Sequence, residues 1–450
     1  MSINWKKLGL WGVALASTGL TVWGISITLP HWGIPKSYES VNIHDPALVA
    51  RGEYLARVAD CIACHTAPGG TPFAGGLGMQ TPVGAIYSTN ITPDPVTGIG
   101  HYSYGDFERA VRRGIRDDGS PLYPAMPYAS YRIIRDEDVK ALYAFFMSSV
   151  PAARKDNQPS TIPWPLSLRW PLTWWQQLFA RDRNFRPPED PELIRGAYLV
   201  EGLAHCGACH TPRGLAFEET ALKEDPGGRY LSGSVLEGWY AKNLRNEATG
   251  LASWSEEEII SFLRTGRTTR TAAFGSMADV VTHSTQYLSD EDLQSIARYL
   301  KSLKARTGQA AEWIPAEDGT TARLRQGDFS EAGALSYIEH CATCHRLDGM
   351  GAPRIYPALK GNSMIMADDP SSLIQISLAG STTPVTSSYP MALGMPAFET
   401  VKNAELAEIL TFIRNSWGNR GSAVSAEQVG RMRLELQHRP VHHVPEAQSR

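Results

Sequence analysis

Three times the chain spells Cys-x-x-Cys-His, at Cys61-Ile62-Ala63-Cys64-His65, Cys206-Gly207-Ala208-Cys209-His210 and Cys341-Ala342-Thr343-Cys344-His345, and these motifs consume all six cysteines. The pattern is the attachment signature of c-type haem. Two thiols three residues apart can form thioethers with the two vinyl groups of one porphyrin, and the adjacent histidine reaches the iron as proximal ligand. Three motifs therefore predict three covalent haems. A zinc knuckle would draw a second ligand pair from nearby, but the motifs stand 145 and 135 residues apart. A thioredoxin-like redox pair does not require the histidine that follows each second cysteine. No cysteine is left over for a disulfide, and c-type haem is attached outside the bacterial cytoplasm.

At 450 residues the chain has room for about three domains. The formal charge of −3 argues against a nucleic-acid partner. Lys6 and Lys7 precede an uncharged stretch from Leu8 to Pro30, long enough to cross a bilayer core of ~30 Å as one helix. The positive-inside rule would leave Met1 in the cytoplasm and the rest outside. The competing reading is a cleaved signal peptide ending near Ala14-Leu15-Ala16, which the apolar residues continuing through Leu29 disfavour. The expectation is thus a single-pass amino-terminal anchor in the bacterial inner membrane, in contact with lipid, with the haem domains on the periplasmic side.

Internal repetition organises the remainder. Arg51-Gly52-Glu53-Tyr54-Leu55 stands ahead of the first motif and Arg195-Gly196-Ala197-Tyr198-Leu199 ahead of the second, with a looser Gly333-Ala334-Leu335-Ser336-Tyr337 ahead of the third. After each motif comes a matched segment, beginning near Asp136, Asp290 and Asn403. These three side chains are suited to cap a helix. Apolar residues then recur at helical spacing, as in Val139, Leu142, Tyr143 and Phe146. In each repeat a first and a last helix are expected to cross, with Gly52, Gly196 or Gly333 allowing close approach. The fold class is mostly α: three tandem cytochrome c domains behind one amino-terminal transmembrane helix. The expected divisions are an anchor at 1–35, domains at 36–155, 191–305 and 329–420, a Trp/Pro-rich linker at 156–190, a polar connector at 306–328 and a polar tail at 421–450.

The sixth iron ligand decides what each haem does. Met277, in Phe274-Gly275-Ser276-Met277-Ala278, is the only methionine between His210 and the second closing helix, with His283 as the fallback. Met126, in Tyr123-Pro124-Ala125-Met126-Pro127, occupies the distal-loop position of the first domain. Met395, in Leu393-Gly394-Met395-Pro396, is preferred to Met391 in the third. His/Met ligation raises the potential and leaves no vacant iron position, which favours electron transfer over haem catalysis; no catalytic residue is assigned. A haem peroxidase, and a membrane-tethered carrier feeding a terminal oxidase, are the alternatives. The carbonyl of Pro357, 12 residues after His345, is expected to accept the proximal N–H; Pro82 and Pro212 are candidates for the same task in the first two domains. Arg112, Arg113 and Arg116 could meet haem propionates, but a solvated helix face is the preferred account.

Residues 161–179 hold four of the chain's 12 tryptophans. A segment this apolar is not a free linker. It could cement the first two domains, contact membrane or quinone, or meet a catalytic partner.

The elements Arg51-Gly-Glu-Tyr-Leu55, Asp60-Cys-Ile-Ala-Cys-His-Thr66, Tyr87-Ser-Thr-Asn-Ile-Thr-Pro-Asp94, Tyr123-Pro-Ala-Met-Pro127, His205-Cys-Gly-Ala-Cys-His-Thr-Pro-Arg213 and Ser276-Met-Ala-Asp279 resemble the triheme cytochrome c subunits of bacterial membrane-bound dehydrogenases for alcohol, aldehyde, gluconate, sorbitol or fructose. The resemblance covers about residues 48–420 and implies electron transfer from a separate catalytic subunit to ubiquinone. That partner would carry molybdopterin, PQQ or flavin, and a small accessory subunit is a further candidate. Several members have a carboxy-terminal anchor, whereas here the tail from Ser422 is polar and His438, His442 and His443 read as part of a disordered end. An uncleaved amino-terminal helix would suit the subunit paired with molybdopterin aldehyde dehydrogenases, which leaves the catalytic partner open.

Overall fold

A computed structural model describes residues 39–180, 185–306 and 318–438, together with Ser17, Thr18 and Thr21. It is mostly helical, with three two-stranded antiparallel ribbons, Gly78–Thr81 with Gly84–Tyr87, Ser234–Leu236 with Trp239–Ala241, and Ser381–Thr382 with Gly394–Met395.

The membrane-spanning helix expected ahead of the haem segments is not supported. Among the described residues no helix is long and apolar enough to cross a membrane. The longest have 13 residues, about 20 Å at 1.5 Å per residue, against the ~30 Å of a hydrocarbon core. Of the uncharged run 8–30, only Ser17, Thr18 and Thr21 are described. Uncharged length is necessary for a span, but it reports composition and does not by itself supply one continuous helix.

Each haem-motif segment is framed by an opening and a closing helix. In the first, Asp45 accepts from the amides of Ala47 and Leu48, and Pro46 takes the first helical position, so Pro46–Val58 begins where its unpaired amides are met. The closing helices run Asp136–Ser148, Asp290–Ser302 and Asn403–Asn415. Asp136, Asp290 and Asn403 are their first helical residues rather than their caps; Ser289 is the one side-chain cap, accepting from Asp292 N. The acids Asp136, Glu137 and Asp138, and Asp290, Glu291 and Asp292, instead meet the positive end of the helix dipole.

The crossings depend on three glycines. A Cβ on Gly52 would lie 1.9 Å from Ala141 O, one on Gly196 2.0 Å from Ser295 O, and one on Gly333 2.3 Å from Glu408 O. No side chain fits at those distances, so the backbones touch directly.

Burial divides the molecule unevenly. Leu55, Leu142 and Phe145 of the first segment share one continuous core with Leu199, Leu203, Leu293 and Leu300 of the second. The third has its own core around Tyr337, Leu410, Phe412 and Trp417. Val429 and Met432 of helix Ala426–His438 belong to it. The tail expected to be polar therefore supplies apolar side chains to the core; His442 and His443 lie outside the described residues.

The first two segments are also joined by an exchange of hydrogen bonds. Arg51 Nε donates to Asp138 of its own closing helix at 2.8 Å, and Arg195 Nε to Asp292 of its own at 2.7 Å. The tyrosines then cross over: Tyr54 OH donates to Asp292 Oδ2 and Tyr198 OH to Asp138 Oδ2, both at 2.6 Å. Such a two-fold, self-complementary pattern is the mark of an isologous interface, here between halves of one chain. Burial raises the Asp292 carboxyl, but hydrogen bonds from Arg195 and Tyr54 outweigh it and hold the group below its ordinary value. The third segment meets the second through polar contacts, among them Tyr240 N to Ser372 Oγ and Lys242 Nζ to Ser363 Oγ, both 2.7 Å, and Ala358 N to Arg270 O at 2.8 Å.

Candidate haem sites

The motif cysteines and histidines fall on or beside single helical turns, Cys61–Cys64, Gly207–His210 and Ala342–His345. One turn places the two thiols and the imidazole around a common space. None of the cysteines is in a disulfide. Burial pushes the thiols of Cys61, Cys206 and Cys341 up to about 12 and that of Cys209 to about 11. Cys64 touches open space, yet enough protein surrounds it to raise its thiol to about 12 as well.

All three histidines are held in the same way. His65 Nδ1 donates to Thr89 O at 2.7 Å, His210 Nδ1 to Lys242 O at 2.7 Å, and His345 Nδ1 to Pro357 O at 3.0 Å. The bond fixes the tautomer and points Nε2 into the site, as a metal-ligating imidazole requires. Burial keeps each ring neutral, lowering His65 and His345 and bringing His210 to about 4. The Pro357 carbonyl stands where its spacing indicated. Pro82 and Pro212 do not serve; Thr89 and Lys242 do. A backbone carbonyl carries no side-chain signature, so nothing in the sequence singles these two out.

The third site lies on a cavity. Cys341, His345, Met395, Phe398 and Leu410 line an apolar cavity with about 800 Å³ of empty space, counting the part open to solvent. A tetrapyrrole needs an apolar slot with a nitrogen on one wall and a thioether on the other, and the residues present fit it. Met391, by contrast, is exposed, and its carbonyl accepts from Arg267. Met126 is half-buried against the first core, just ahead of helix Tyr128–Tyr131, and Met277 is half-buried at the start of Ser276–His283, with His283 at its far end. Arg112 binds Glu108, Asp136 and the Ile134 carbonyl. It ties two helices together and is not available as a propionate partner.

The first two motifs are neighbours despite their separation in sequence. Helix Ser276–His283, which carries Met277, packs on the turn Cys61–Cys64. Asp60, held at φ 50, is half-buried, and the protein packed around its carboxyl, together with the charge of Asp279, raises it well above the usual range. The charge of Asp60 also reaches the Cys209 thiol, and Cys209 acts on Cys64. Phe274, three residues before Met277, lines the third cavity. Elements of the second segment thus reach both of the other motifs.

A helical frame closed over carbonyl-held Cys-x-x-Cys-His motifs defines a cytochrome c. The model of the family described as cytochrome c matches residues 194–304 and 330–417. The gluconate 2-dehydrogenase cytochrome c subunit of Pantoea cypripedii is 52% identical over 399 residues, covering 86% of this chain and 90% of that protein. The alcohol dehydrogenase (quinone) cytochrome c subunit of Gluconobacter oxydans is 46% identical over 397 residues, covering 86% and 83%. The fructose dehydrogenase cytochrome subunit of Gluconobacter japonicus is 36% identical over 425 residues, covering 89% and 85%. The chain belongs to this family of dehydrogenase cytochrome c subunits: it binds haem c covalently and transfers electrons, and it is not the subunit that oxidises the substrate.

Proposed function

We propose that the chain is a three-haem relay that takes electrons from a dehydrogenase catalytic subunit on the periplasmic side of the bacterial inner membrane and delivers them to ubiquinone. Each of the segments 36–155, 191–305 and 329–420 is one haem domain. The thioethers form at Cys61 and Cys64, Cys206 and Cys209, and Cys341 and Cys344. His65, His210 and His345 are the proximal ligands, and Met126, Met277 and Met395 the distal ones. The observation that carries this reading is the Nδ1-to-carbonyl bond repeated at all three histidines.

A bound haem c supplies a one-electron couple. The protein's part is to orient a neutral imidazole, present a neutral thioether opposite it, and keep water away with apolar walls such as Phe398 and Leu410. The quinone acceptor is favoured because the Gluconobacter oxydans relative has quinone in its name. The relatives' names cover gluconate, alcohol and fructose, so the catalytic partner is a flavin, PQQ or molybdopterin protein.

Intact-mass spectrometry of the chain from native membranes is expected to give the polypeptide plus three haems, with a large catalytic subunit co-purifying in mild detergent. The substrate of that subunit should reduce all three haems, and a soluble ubiquinone analogue should reoxidise them. A mass with two haems, or haems that substrate leaves oxidised, overturns the reading.

A further inference from the structure

The tryptophan-rich linker leaves several apolar side chains in the open. Helix Pro171–Phe179 buries two of its three polar residues, Thr173 and Gln176, while Gln177 is exposed, and Gln176 Nε2 donates to Gly114 O at 2.9 Å. Of its apolar residues, Trp175 packs on Tyr128, whereas Leu178 is 55% exposed. Just ahead of it, the turn that begins at Trp164 leaves that indole 78% exposed, with Leu166 and Trp170 also outside. A globular helix places its apolar stripe on the core and its polar stripe in water, and this helix does not keep the two apart, since Gln176 is buried and Leu178 exposed.

A second segment, from another part of the chain, joins the same surface. Trp175 Nε1 donates to Ala216 O at 2.8 Å, and the two neighbours of Ala216 project outward, Leu215 at 105% and Phe217 at 54% exposure. Phe217 is held at φ 60, a conformation that costs a bulky residue energy and persists only where the surroundings impose it. Charge is sparse on this surface: Glu218, beside Phe217, is turned onto the Ala216 amide at 3.0 Å. Arg169 is the only charged residue from Gln158 to Ala180, and its guanidinium lies over the Tyr123 ring at 4.5 Å and donates to Pro121 O at 3.1 Å. Arg213 likewise turns back, onto the carbonyls of Phe217 and Ala208.

We propose that Trp164, Leu166, Trp170, Leu178, Leu215 and Phe217 form one surface that lies in the interfacial zone of a lipid bilayer, without crossing it. A protein partner would call for a polar rim and about one hydrogen bond per 100–200 Å², whereas the six side chains named offer only indole N–H groups, and Gln177 is the one exposed amide on the helix beside them. Protruding tryptophan and leucine tips without charge suit the boundary between headgroups and acyl chains, which needs no complementary pocket. The contact is independent of which acceptor takes the electrons.

The test uses the full-length chain with its haems and one added cysteine, Trp164→Cys or Leu215→Cys, with Met391→Cys, on an exposed part of the third segment, as control. Thioether-bonded sulfurs do not react, so a water-soluble maleimide reports the added thiol alone. With vesicles of phosphatidylethanolamine and phosphatidylglycerol, labelling at 164 and 215 should slow several-fold while labelling at 391 is unchanged. Attachment through any other segment leaves 164 and 215 reactive, so equal rates at all three positions overturn the proposal. So does shielding that appears only when the catalytic subunit is added in place of vesicles.

Discussion

Met391 and Met395 stand four residues apart and their surroundings separate them, and Met364 lines the same cavity as Met395. Met395 shares a cavity with His345, while Met391 is exposed. Met395→Ala is expected to give a haem that binds carbon monoxide, and Met391→Ala one that does not; the visible spectrum under carbon monoxide reads both. Much at this scale was legible in the sequence, because a pentapeptide dictates its own local geometry and Pro357 lies at a fixed spacing from His345. Thr89 and Lys242 were not legible, since any residue can offer a carbonyl and only the folded chain shows which one the imidazole reaches.

Helix against helix, the glycine crossings set the tolerance. Gly196→Ala would drive a Cβ to 2.0 Å from the Ser295 carbonyl, and overpacking of this kind costs roughly 2 kcal/mol or more because backbone cannot rotate aside. Thermal unfolding of the variant should fall by several degrees, whereas Gly69→Ala, at a left-handed position with nothing within 4 Å, should lose only what the positive φ costs, about 1 kcal/mol. The paired helices and their glycines could be read from repetition, as apolar spacing and a missing side chain are both local properties. One expectation, the membrane-spanning helix, failed at this scale. The apolar run near the amino terminus and the polar tail were judged by composition. Among the described residues no helix spans a membrane, and the tail's Val429 and Met432, few as they are, complete a core.

For the molecule as a whole, the exchange between Tyr54 and Tyr198 sets which parts move together. Asp292→Asn removes a charge-assisted pair with Arg195 and weakens the bond from Tyr54, at a cost of about 1–2 kcal/mol. Calorimetry should show the first two segments destabilised together and the third unchanged. The sign with pH follows from the shifts. Asp292 has a folded value below its unfolded one, so its contribution is complete above about pH 4 and disappears as pH falls through the folded value. Tyr54 and Tyr198 are raised, chiefly by burial and then by their aspartates. Their contribution is complete below about pH 10 and disappears as pH rises through the folded values. In Asp292→Asn the acid limb of the stability profile should flatten. The Arg-Gly-x-Tyr repeat was visible in the sequence, but its tyrosine's partner was not, because Tyr54 and Asp292 are 238 residues apart and meet only when both segments are folded. The exchange also bears on speed. Electron hopping slows exponentially as a gap widens, so a joint pinned from both sides keeps the distance between the first two motifs constant. The joint to the third rests on other contacts, Lys242 with Ser363 and Ala358 with Arg270 among them, so its spacing is set independently of that exchange.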